Sequence, residues 1–492
     1  MKRIIIIGGG FGGLAAACRL AARGYDVQLF EKQDKLGGQA YTTEINGFKF
    51  DAGPSLITCP TLLDDIFHQT GARRLDYFEL VPVDPCYRFF DHRGQHFDYS
   101  NNLNFVLDQI DRWNPADKLG YQRYLSTTKP LVDISQQHIF NKPFLHLTDM
   151  LKIAPTLIKH RAYQSVFSTV SHFIQDDFLR RVFSFHPLMQ GGNPFDTSTL
   201  FAANQRLDPE WGAYHPVGGV SAIVNGLTRL FAELGGKVHL NAEVVEILAD
   251  RREVTGVRLA DGSIHRADAI LSNAEAAFTY RSLIHPRHRH INSNRRYHHT
   301  RYGMSLFVLF LGVKRRYLDS RLAHHNILFC ERYKALMHNI FNRKILTDDF
   351  TLFLHIPSLT DSSMCPKDHE SLCVISPVPN LSSGVDWTRS ARPYRNRILS
   401  FLEDNYLPDL RVNIVAEHYL DPLHFQNTLN CTLGAPFSIQ PLLRQSGWFR
   451  PHNRSEDFDN LFLVGAGTHP GGGLPGVLAS AVICQNLVSE II

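Results

Sequence analysis

The start of the chain constrains the fold more than any other stretch, because an apolar segment runs directly into a cluster of glycines. Residues 4–7 are four isoleucines, and residues 8–13 are Gly-Gly-Gly-Phe-Gly-Gly. A helix over 14–23 and a second buried strand over 27–30 are predicted to follow. The alternative is a secretory signal that ends near Cys18, but the apolar region of a signal should be continuous and the glycines interrupt it. The pattern predicts a nucleotide-binding strand, turn and helix, and no signal peptide.

Each glycine of this turn has a physical role in holding a dinucleotide. Gly8 permits a tight turn, Gly10 lets backbone N–H groups approach a pyrophosphate, and Gly13 lets the helix pack on the strand. The N-terminus of the helix then faces the phosphates. Glu31 stands where an acid accepts hydrogen bonds from a ribose 2′-hydroxyl, and it would repel the 2′-phosphate of NADP. The cofactor-binding residues predicted in this stretch are Gly8, Gly10, Phe11, Gly12, Gly13, Glu31 and Lys32.

Two further glycine clusters favour FAD over NAD as the dinucleotide. Gly37 and Gly38, followed by Gln39, are either a simple turn or a second loop over the pyrophosphate and ribityl chain. Residues 460–481 again indicate a strand, a glycine turn and a helix with proline in its first turn. One cofactor that extends across both units explains them, and the last helix then directs its positive end at the flavin. The last helix is also explained if it only covers the sheet, and the two roles are compatible. The flavin contacts predicted here are Gly465, Gly467, Gly476 and Val477.

Six segments of the chain resemble the bacterial and fungal type of phytoene desaturase, a family of FAD-dependent carotenoid oxidoreductases. The segments occur in that family's order and cover essentially the whole chain, and the stretches 186–195 and 448–470 are the most specific. The resemblance implies four successive dehydrogenations of 15-cis-phytoene, a forty-carbon hydrocarbon, to lycopene in carotenoid biosynthesis. It also implies that Val244 offers its backbone to the adenine. Gln39 stands where the family usually has an arginine, so a lower affinity for the cofactor is expected. The segments are residues 8–40, 50–55, 183–195, 216–219, 448–454 and 464–470.

These observations predict an α/β protein with a Rossmann-like FAD-binding domain of the glutathione-reductase and amine-oxidase type. This domain is expected to be discontinuous, over residues 1–75, 213–290 and 440–492. An α+β substrate domain is expected from residues 76–212 and 291–439. Its clearest element is a buried strand over 306–310.

Composition excludes several classes of protein. With 44% hydrophobic and 20% charged residues the 492-residue chain is globular, and a net charge of +4 gives no reason to expect nucleic acid. The cysteines show no Cys-x-x-Cys pair, so neither a metal site nor a disulfide framework is predicted. No stretch approaches the roughly 18 apolar residues of a spanning helix, and the best run is residues 304–313. Peripheral contact with the cytoplasmic face of the membrane is the expectation.

Two segments are candidates for that contact. The basic stretch 285–301 is either a solvated segment or a surface for anionic headgroups. Residues 142–167 carry apolar side chains at helical spacing beside lysines and an arginine, which suits an interfacial helix or the wall of a tunnel. Pro155 is expected to interrupt any single helix there.

The substrate offers no polar group, so recognition by the shape of an apolar tunnel is expected, and the flavin carries the redox chemistry. The step removes hydride from an allylic carbon and a proton from its neighbour, and quinone or oxygen is the expected electron acceptor. Candidates to accept the proton are Asp149, Asp51 and His186. Their structural alternatives are a helix start, a turn and a buried histidine, respectively.

Other activities remain open at this stage. A thirty-carbon desaturase, a ketolase and an isomerase are alternatives within the same family. A non-catalytic lipid-binding protein on the same scaffold, as in the prenyl-GTPase escort proteins, is the alternative from another class. The oligomeric state is not predicted.

Overall fold

A computed structural model describes residues 1–53, 55–201 and 212–492. Pro54 of the segment 50–55 and residues 202–211 of the predicted substrate domain lie outside the described residues. The strands are, in chain order, β1 (Arg3–Ile7), β2 (Asp26–Phe30), β3 (Thr42–Ile45), β4 (Phe48–Asp51), β5 (Ile57–Thr58), β6 (Leu80–Pro82), β7 (Tyr87–Phe90), β8 (His96–Tyr99), β9 (Ala213–Pro216), β10 (Lys237–His239), β11 (Val244–Asp250), β12 (Glu253–Leu259), β13 (Ile264–Arg266), β14 (Ala269–Ser272), β15 (Ser305–Val313), β16 (His325–Leu328), β17 (Leu352–His355), β18 (Glu370–Val378), β19 (Ile414–Leu420) and β20 (Leu461–Leu463).

Helices of very different length connect and cover these strands. They are α1 (Phe11–Ala22), α2 (Pro60–His68), α3 (Leu103–Trp113), α4 (Pro115–Ile134), α5 (Leu147–Lys159), α6 (Val166–Phe173), α7 (Asp177–Ser184), α8 (Ser221–Glu233), α9 (Ala276–Phe278), α10 (Asn294–His298), α11 (Tyr333–His338), α12 (Trp387–Asn405), α13 (Leu410–Asn413), α14 (Pro422–Asn427) and α15 (Leu474–Ile491).

A parallel five-stranded sheet joins distant parts of the chain in the order β10-β2-β1-β14-β20. Each neighbouring pair is parallel, and β1 lies between β2 and β14. The predicted α/β fold with a Rossmann-like unit is confirmed, and the sheet draws on all three segments assigned to the cofactor domain. The exact boundaries 1–75, 213–290 and 440–492 stay a prediction.

Helices α1 and α15 cover this sheet from both ends of the sequence. Ala15, Ala16 and Ala17 of α1 are fully buried, and their small side chains let α15 pack closely against it. By length and composition α15 is apolar enough to cross a membrane, with a mean hydropathy of 1.4 over 18 residues. Polar residues such as Ser480 and Gln485 interrupt its apolar run, so the sequence pattern did not indicate a spanning helix here. In the fold 61% of it is buried, as in a core helix.

A seven-stranded mixed sheet, β19-β15-β18-β17-β16-β7-β8, forms the centre of the remaining part. The buried strand predicted over 306–310 is confirmed within β15. Alternate residues of a strand point to opposite faces of a sheet. Phe307 and Leu309 belong to the core formed with α12, whereas Leu306 and Val308 line a large cavity on the other face.

The prediction that Pro155 interrupts the helix at 142–167 was wrong, because α5 continues through Pro155. A proline removes one hydrogen bond from the ladder, and the turns on either side keep the helix intact. Ile153 and Leu157 are buried, while Leu151 and Ile158 are more than half exposed.

The basic stretch 285–301 is anchored to the fold in part. The Asp457 carboxylate accepts hydrogen bonds from the backbone N–H groups of His290, Ile291 and Asn292. Arg296 pairs with Glu456 at 2.9 Å. Other cations of the stretch, among them Arg287 and Arg295, are exposed.

Candidate active site

One large cavity connects the two glycine-rich turns with the seven-stranded sheet. Its volume is about 490 Å³, within the range of ligand cavities in proteins. It begins at the turn after β1, passes the turn after β20, and ends among apolar side chains. Among the described residues of its wall, the charged ones are Glu31, Lys32, Glu243 and Arg450. Three of the four lie at the end next to β1 and β2, so charge is concentrated there.

The turn after β1 leaves no room for side chains. Gly8 has a φ of +92°, a conformation that favours glycine. A Cβ atom on Gly13 would lie 2.1 Å from the Gly8 carbonyl oxygen, and one on Gly12 would lie 2.6 Å from Asn273 Oδ1. Gly8, Gly10, Phe11 and Gly12 line the cavity, whereas Gly13 packs the helix against the turn. The backbone is therefore open to a ligand where the sequence predicts a pyrophosphate.

The Glu31 carboxylate is buried at the end of β2 and faces this turn. It accepts hydrogen bonds from Gly9 N–H at 2.7 Å and Gln33 N–H at 2.9 Å, and its side chain lines the cavity. Lys32 donates to Asn430 Oδ1 at 2.9 Å, and burial lowers the pKa of its amine, although Glu243 opposes the shift. Val244 also lines this end of the cavity. The fixed carboxylate retains lone pairs to accept from a sugar hydroxyl.

The second glycine pair closes over the first turn. Gly37 forms an isolated parallel bridge with Gly10, and the Gly37 N–H donates to the Gly9 carbonyl at 2.9 Å. Gln39 Nε2 donates to the Pro436 carbonyl at 2.9 Å. Gly37, Gly38 and Gln39 all line the cavity. Part of the amide of Gln39 is thus used to bind the protein itself.

The turn after β20 lies next to the turn after β1, because a Cβ atom on Gly12 would be only 3.1 Å from the Gly465 Cα atom. Gly465 has a φ of +103°, and a Cβ atom on Gly476 would lie 2.6 Å from the Gly471 carbonyl. Gly465, Gly476 and Val477 line the cavity, and the first turn of α15 points its N-terminus there. Gly467 does not line it, because this residue packs against Ala276.

Two residues of the site were missed by the sequence analysis. Asn273 follows β14 and donates from Nδ2 to the Gly8 carbonyl, so it lies between the two glycine turns. Arg450 is buried and donates to the carbonyls of Thr468, Ala466 and Ile439 at 2.9, 2.7 and 3.3 Å. Burial lowers its pKa to about 10, so it stays charged at neutral pH. A polar residue at the end of a predicted Rossmann strand was the available signal for Asn273.

The three candidate proton acceptors lie in different surroundings. His186 lines the cavity, and burial lowers its pKa to about 4. Asp51 is not on the cavity wall, and its carboxylate accepts from Val220 N–H and Thr42 Oγ1, both at 2.8 Å. Asp149 accepts from the His146 N–H at 3.2 Å and pairs with Lys152. The geometry therefore gives Asp149 the role of a helix cap and leaves His186 at the cavity.

The far half of the cavity is formed by aromatic and aliphatic side chains from segments distant in sequence. None of the described side chains in this half is charged. Such a surface binds through shape and apolar contact. Its residues include Leu56, Tyr87, Phe185, Leu188, Met304, Leu306, Phe353, Ile375 and Pro377.

The residues at the charged end fit a flavin dinucleotide. Glycines that exclude Cβ atoms keep the backbone accessible at two turns, and the buried carboxylate of Glu31 lies beside the first of them. The N-terminus of α15 supplies a partial positive charge at the second. A cofactor that spans both turns matches this arrangement better than a single nucleotide does.

Comparison with known proteins supports this interpretation. Residues 11–372 match the family model of flavin containing amine oxidoreductases. The chain is 45% identical to the phytoene desaturase (lycopene-forming) of Pseudescherichia vulneris, over all of this chain and 99% of that protein. It is 42% identical to the protein of the same name from Pantoea ananas, again over all of this chain and 99% of that one. The neurosporene-forming phytoene desaturase of Rhodobacter capsulatus is 35% identical, with 100% and 94% covered.

A solved structure shows the same fold. An oxidoreductase from Methanosarcina mazei matches with a TM-score of 0.66 and 15% identity, over 98% of this chain and all of that one. At that identity the likeness speaks for the fold alone. The full-length identities and the family model confirm the resemblance seen in the sequence: this chain belongs to the phytoene desaturases, within the family of flavin-containing amine oxidoreductases.

Proposed function

We propose that this protein is an FAD-dependent phytoene desaturase that converts 15-cis-phytoene to lycopene by four successive dehydrogenations. The main support for this proposal is that one continuous cavity joins a nucleotide-binding end to an apolar end. The two lycopene-forming relatives, at 45% and 42% identity over the full chain, support the product.

FAD is favoured among flavins because the protein has binding features for a dinucleotide. The glycine turn after β1 suits a pyrophosphate, and Glu31 suits the adenosine ribose. The same cavity is lined by Glu31 and Val244 in one part and by Gly476 and Val477 in another, which suits an extended cofactor. A mononucleotide would leave the end around Glu31 and Val244 without a ligand.

The apolar half of the cavity suits a hydrocarbon substrate. A polyene offers nothing to a hydrogen-bonding group, so any buried polar side chain in its path would lose its contact with water without compensation. Leu306, Phe353 and Ile375 supply dispersion contacts and no such cost. Aromatic faces such as Tyr87 and Phe185 also ease positive charge that develops on the substrate carbon chain.

Side chains and a helix terminus of the protein itself stabilise developing charge and accept a proton. When bound, the flavin supplies a hydride acceptor. Arg450 and the N-terminus of α15 place positive potential beside the turn after β20, where negative charge would develop. His186 is neutral at physiological pH, because its pKa is about 4, and it lines the cavity in a form that accepts a proton. We assign proton acceptance to His186.

Contact with a lipid surface follows from the nature of the substrate. Helix α5 lines the cavity with Met150, Ile153 and Leu157, and exposes Leu151 and Ile158 on its outer side. Lys152 is exposed on the same helix, as in helices that lie at a membrane interface. We place α5 against the cytoplasmic face of the membrane, where quinone or oxygen serves as the electron acceptor.

The decisive experiment supplies phytoene to the protein in a carotenoid-free bacterium and analyses the pigments by chromatography. Lycopene is the expected product, and the His186→Gln variant should retain flavin and form it much more slowly. Unchanged phytoene in cells that contain soluble, flavin-loaded protein would overturn the proposal. Neurosporene as the end product would correct the number of steps. Activity with a thirty-carbon substrate alone would correct the chain length.

A second measurement separates an enzyme from a lipid carrier. Purified protein should carry an absorption band near 450 nm, roughly where oxidised flavins absorb. Protein that folds but binds no flavin would favour a non-catalytic lipid-binding protein on this scaffold. Product that differs from the substrate only in double-bond geometry would indicate an isomerase.

A further inference from the structure

Three buried histidines converge outside the cavity. His215 lies on β9, His324 directly precedes β16, and His355 ends β17. Each offers a ring nitrogen, and these three atoms lie within 4.8 Å of one another. The exposed fractions of the residues are 0%, 5% and 0%. None of them lines the cavity, so they are not part of the site described above.

One distance in the cluster is close to that of a tetrahedral cation site. Zinc–nitrogen bonds of about 2.0–2.1 Å at tetrahedral angles place two ligand atoms about 3.3 Å apart. His324 Nε2 and His355 Nε2 are 3.0 Å apart, and all three imidazoles offer a nitrogen within 4.8 Å of the others. Asp361 lies beside the cluster, with Oδ2 3.4 Å from His215 Nε2. Three imidazoles are a donor set that zinc accepts.

The hydrogen bonds around the cluster agree with this role. His324 Nδ1 bonds to Thr360 Oγ1 at 2.6 Å, which fixes the ring with its other nitrogen toward the cluster. Histidines that bind metals are oriented by such a bond on the far nitrogen. Neither ring nitrogen of His215, by contrast, has a hydrogen-bond partner among the described residues, although Nε2 lies 3.4 Å from Asp361 Oδ2. A buried nitrogen of this kind is uncommon, and coordination of a cation gives the His215 ring a strong partner.

We propose that His215, His324 and His355 bind a structural Zn²⁺ ion, with the negative charge of Asp361 beside His215. The ion would join β9, of the part assigned to the cofactor domain, to strands β16 and β17 of the seven-stranded sheet. It lies behind the cavity wall, since His325, the neighbour of His324, stacks on Phe353 and packs against Tyr87. Cysteine spacing gave no metal site in the sequence because these ligands are histidines at positions 215, 324 and 355.

The test measures zinc in protein that carries no affinity tag of histidines. After treatment with a chelator and desalting, Zn²⁺ alone is added back, excess is removed, and the metal content is measured by mass spectrometry. The wild type should hold one zinc ion per chain and unfold at a higher temperature with zinc than without it. His355→Gln and His215→Gln should lose both the ion and the zinc-dependent rise.

Three further variants test the orientation of His324 and whether zinc loss is specific to the proposed ligands. Thr360→Val removes the bond that orients His324 and should weaken zinc affinity about tenfold. His325→Gln changes a buried histidine that neighbours the cluster but is not one of the three ligands, and should keep the zinc. A double substitution of the exposed pair, His298→Gln with His299→Gln, should also keep it.

Two results would overturn the proposal. One is a wild type with no bound zinc and no zinc-dependent change in its unfolding temperature. The other is loss of zinc from the surface pair, or equally from His325→Gln, in place of loss from the proposed ligands. Replacement of Zn²⁺ by Co²⁺ adds an independent signal, because tetrahedral cobalt gives visible absorption bands that His355→Gln should abolish.

Discussion

The two ends of the cavity are constructed in different ways. At the nucleotide end the wall is largely backbone, and a Cβ atom on Gly12 or Gly13 would collide with neighbours at 2.6 or 2.1 Å. At the apolar end the wall is made of side chains, such as Leu306, Phe353 and Ile375, from separate strands. Almost any substitution of these glycines would cause a clash with neighbouring backbone or side-chain atoms. Side chains at the apolar end, by contrast, can be replaced so that the cavity changes shape while the protein still folds. The first end is therefore expected to fix the cofactor, and the second to set which hydrocarbon enters.

The largest effect is expected for Gly13→Ala. Its Cβ atom would meet the Gly8 carbonyl oxygen, which is backbone and cannot rotate away as a side chain could. We expect loss of bound flavin and a fall in the free energy of unfolding of more than about 4 kcal/mol. Flavin absorbance and urea unfolding measure both. Gly24→Ala is the matched control, because nothing lies within 4 Å of its Cβ and only the positive φ is strained. Equal losses in both variants would show that the glycine turn is not specially constrained.

The next effect concerns Arg450, which holds the loop beside the second glycine turn. Arg450→Met removes the donor from three buried carbonyls, of Thr468, Ala466 and Ile439. A fall of about 3 kcal/mol in the free energy of unfolding is expected, together with weaker flavin binding. Arg450→Lys keeps the charge and should recover part of both. If Arg450→Met has wild-type stability and flavin content, the backbone of this turn does not depend on the guanidinium.

The apolar end is best tested with two leucines of β15. Leu306→Ala enlarges the cavity and should change the distribution of products, with a loss of about 1 kcal/mol in stability because the side chain is only partly buried. Leu309→Ala lies on the opposite face, in the core with α12, and should lose about 3 kcal/mol with an unchanged product distribution. Product analysis and urea unfolding of both variants check this. The opposite assignment of effects would contradict the face that each leucine occupies.

The smallest effect is a dependence of stability on pH. His469 is buried, and its Nε2 bonds to the Ile139 and Lys142 carbonyls. Burial lowers its pKa to about 4, against 6.5 when exposed. Between these values the unfolded chain binds the proton and the native protein does not, so stability falls as pH decreases from 6.5 toward 4. The slope from this residue is about 1.4 kcal/mol per pH unit.

The variant His469→Gln should therefore lose less stability than the wild type between pH 6.5 and 5. Urea unfolding at several pH values measures the difference in slope. The exposed His299→Gln is the control and should keep the wild-type slope. Identical slopes for all three proteins would mean that His469 is protonated in the native state.

Much of the nucleotide-binding end could be predicted from the sequence because its features are local. A strand, a glycine turn and a helix lie next to each other along the chain, and Glu31 follows at a set distance. Asn273 and Arg450 were missed because each is distant in sequence from the first glycine turn and is brought to the site only by the tertiary structure. Pro155 was misjudged because local propensity cannot show that the rest of α5 is held in place by packing.

By itself the sequence determined the family, through motifs along the whole chain, and the α/β fold class, through short-range patterns. It also predicted the two glycine turns, although Gly467 does not line the cavity. Only the tertiary structure decided that His186 reaches the cavity while Asp51 and Asp149 bind elsewhere. It also brought His215, His324 and His355 together across more than a hundred residues of chain. The physical reason is that side-chain clusters form where distant strands meet, and the pairing of those strands depends on the packing of the whole core.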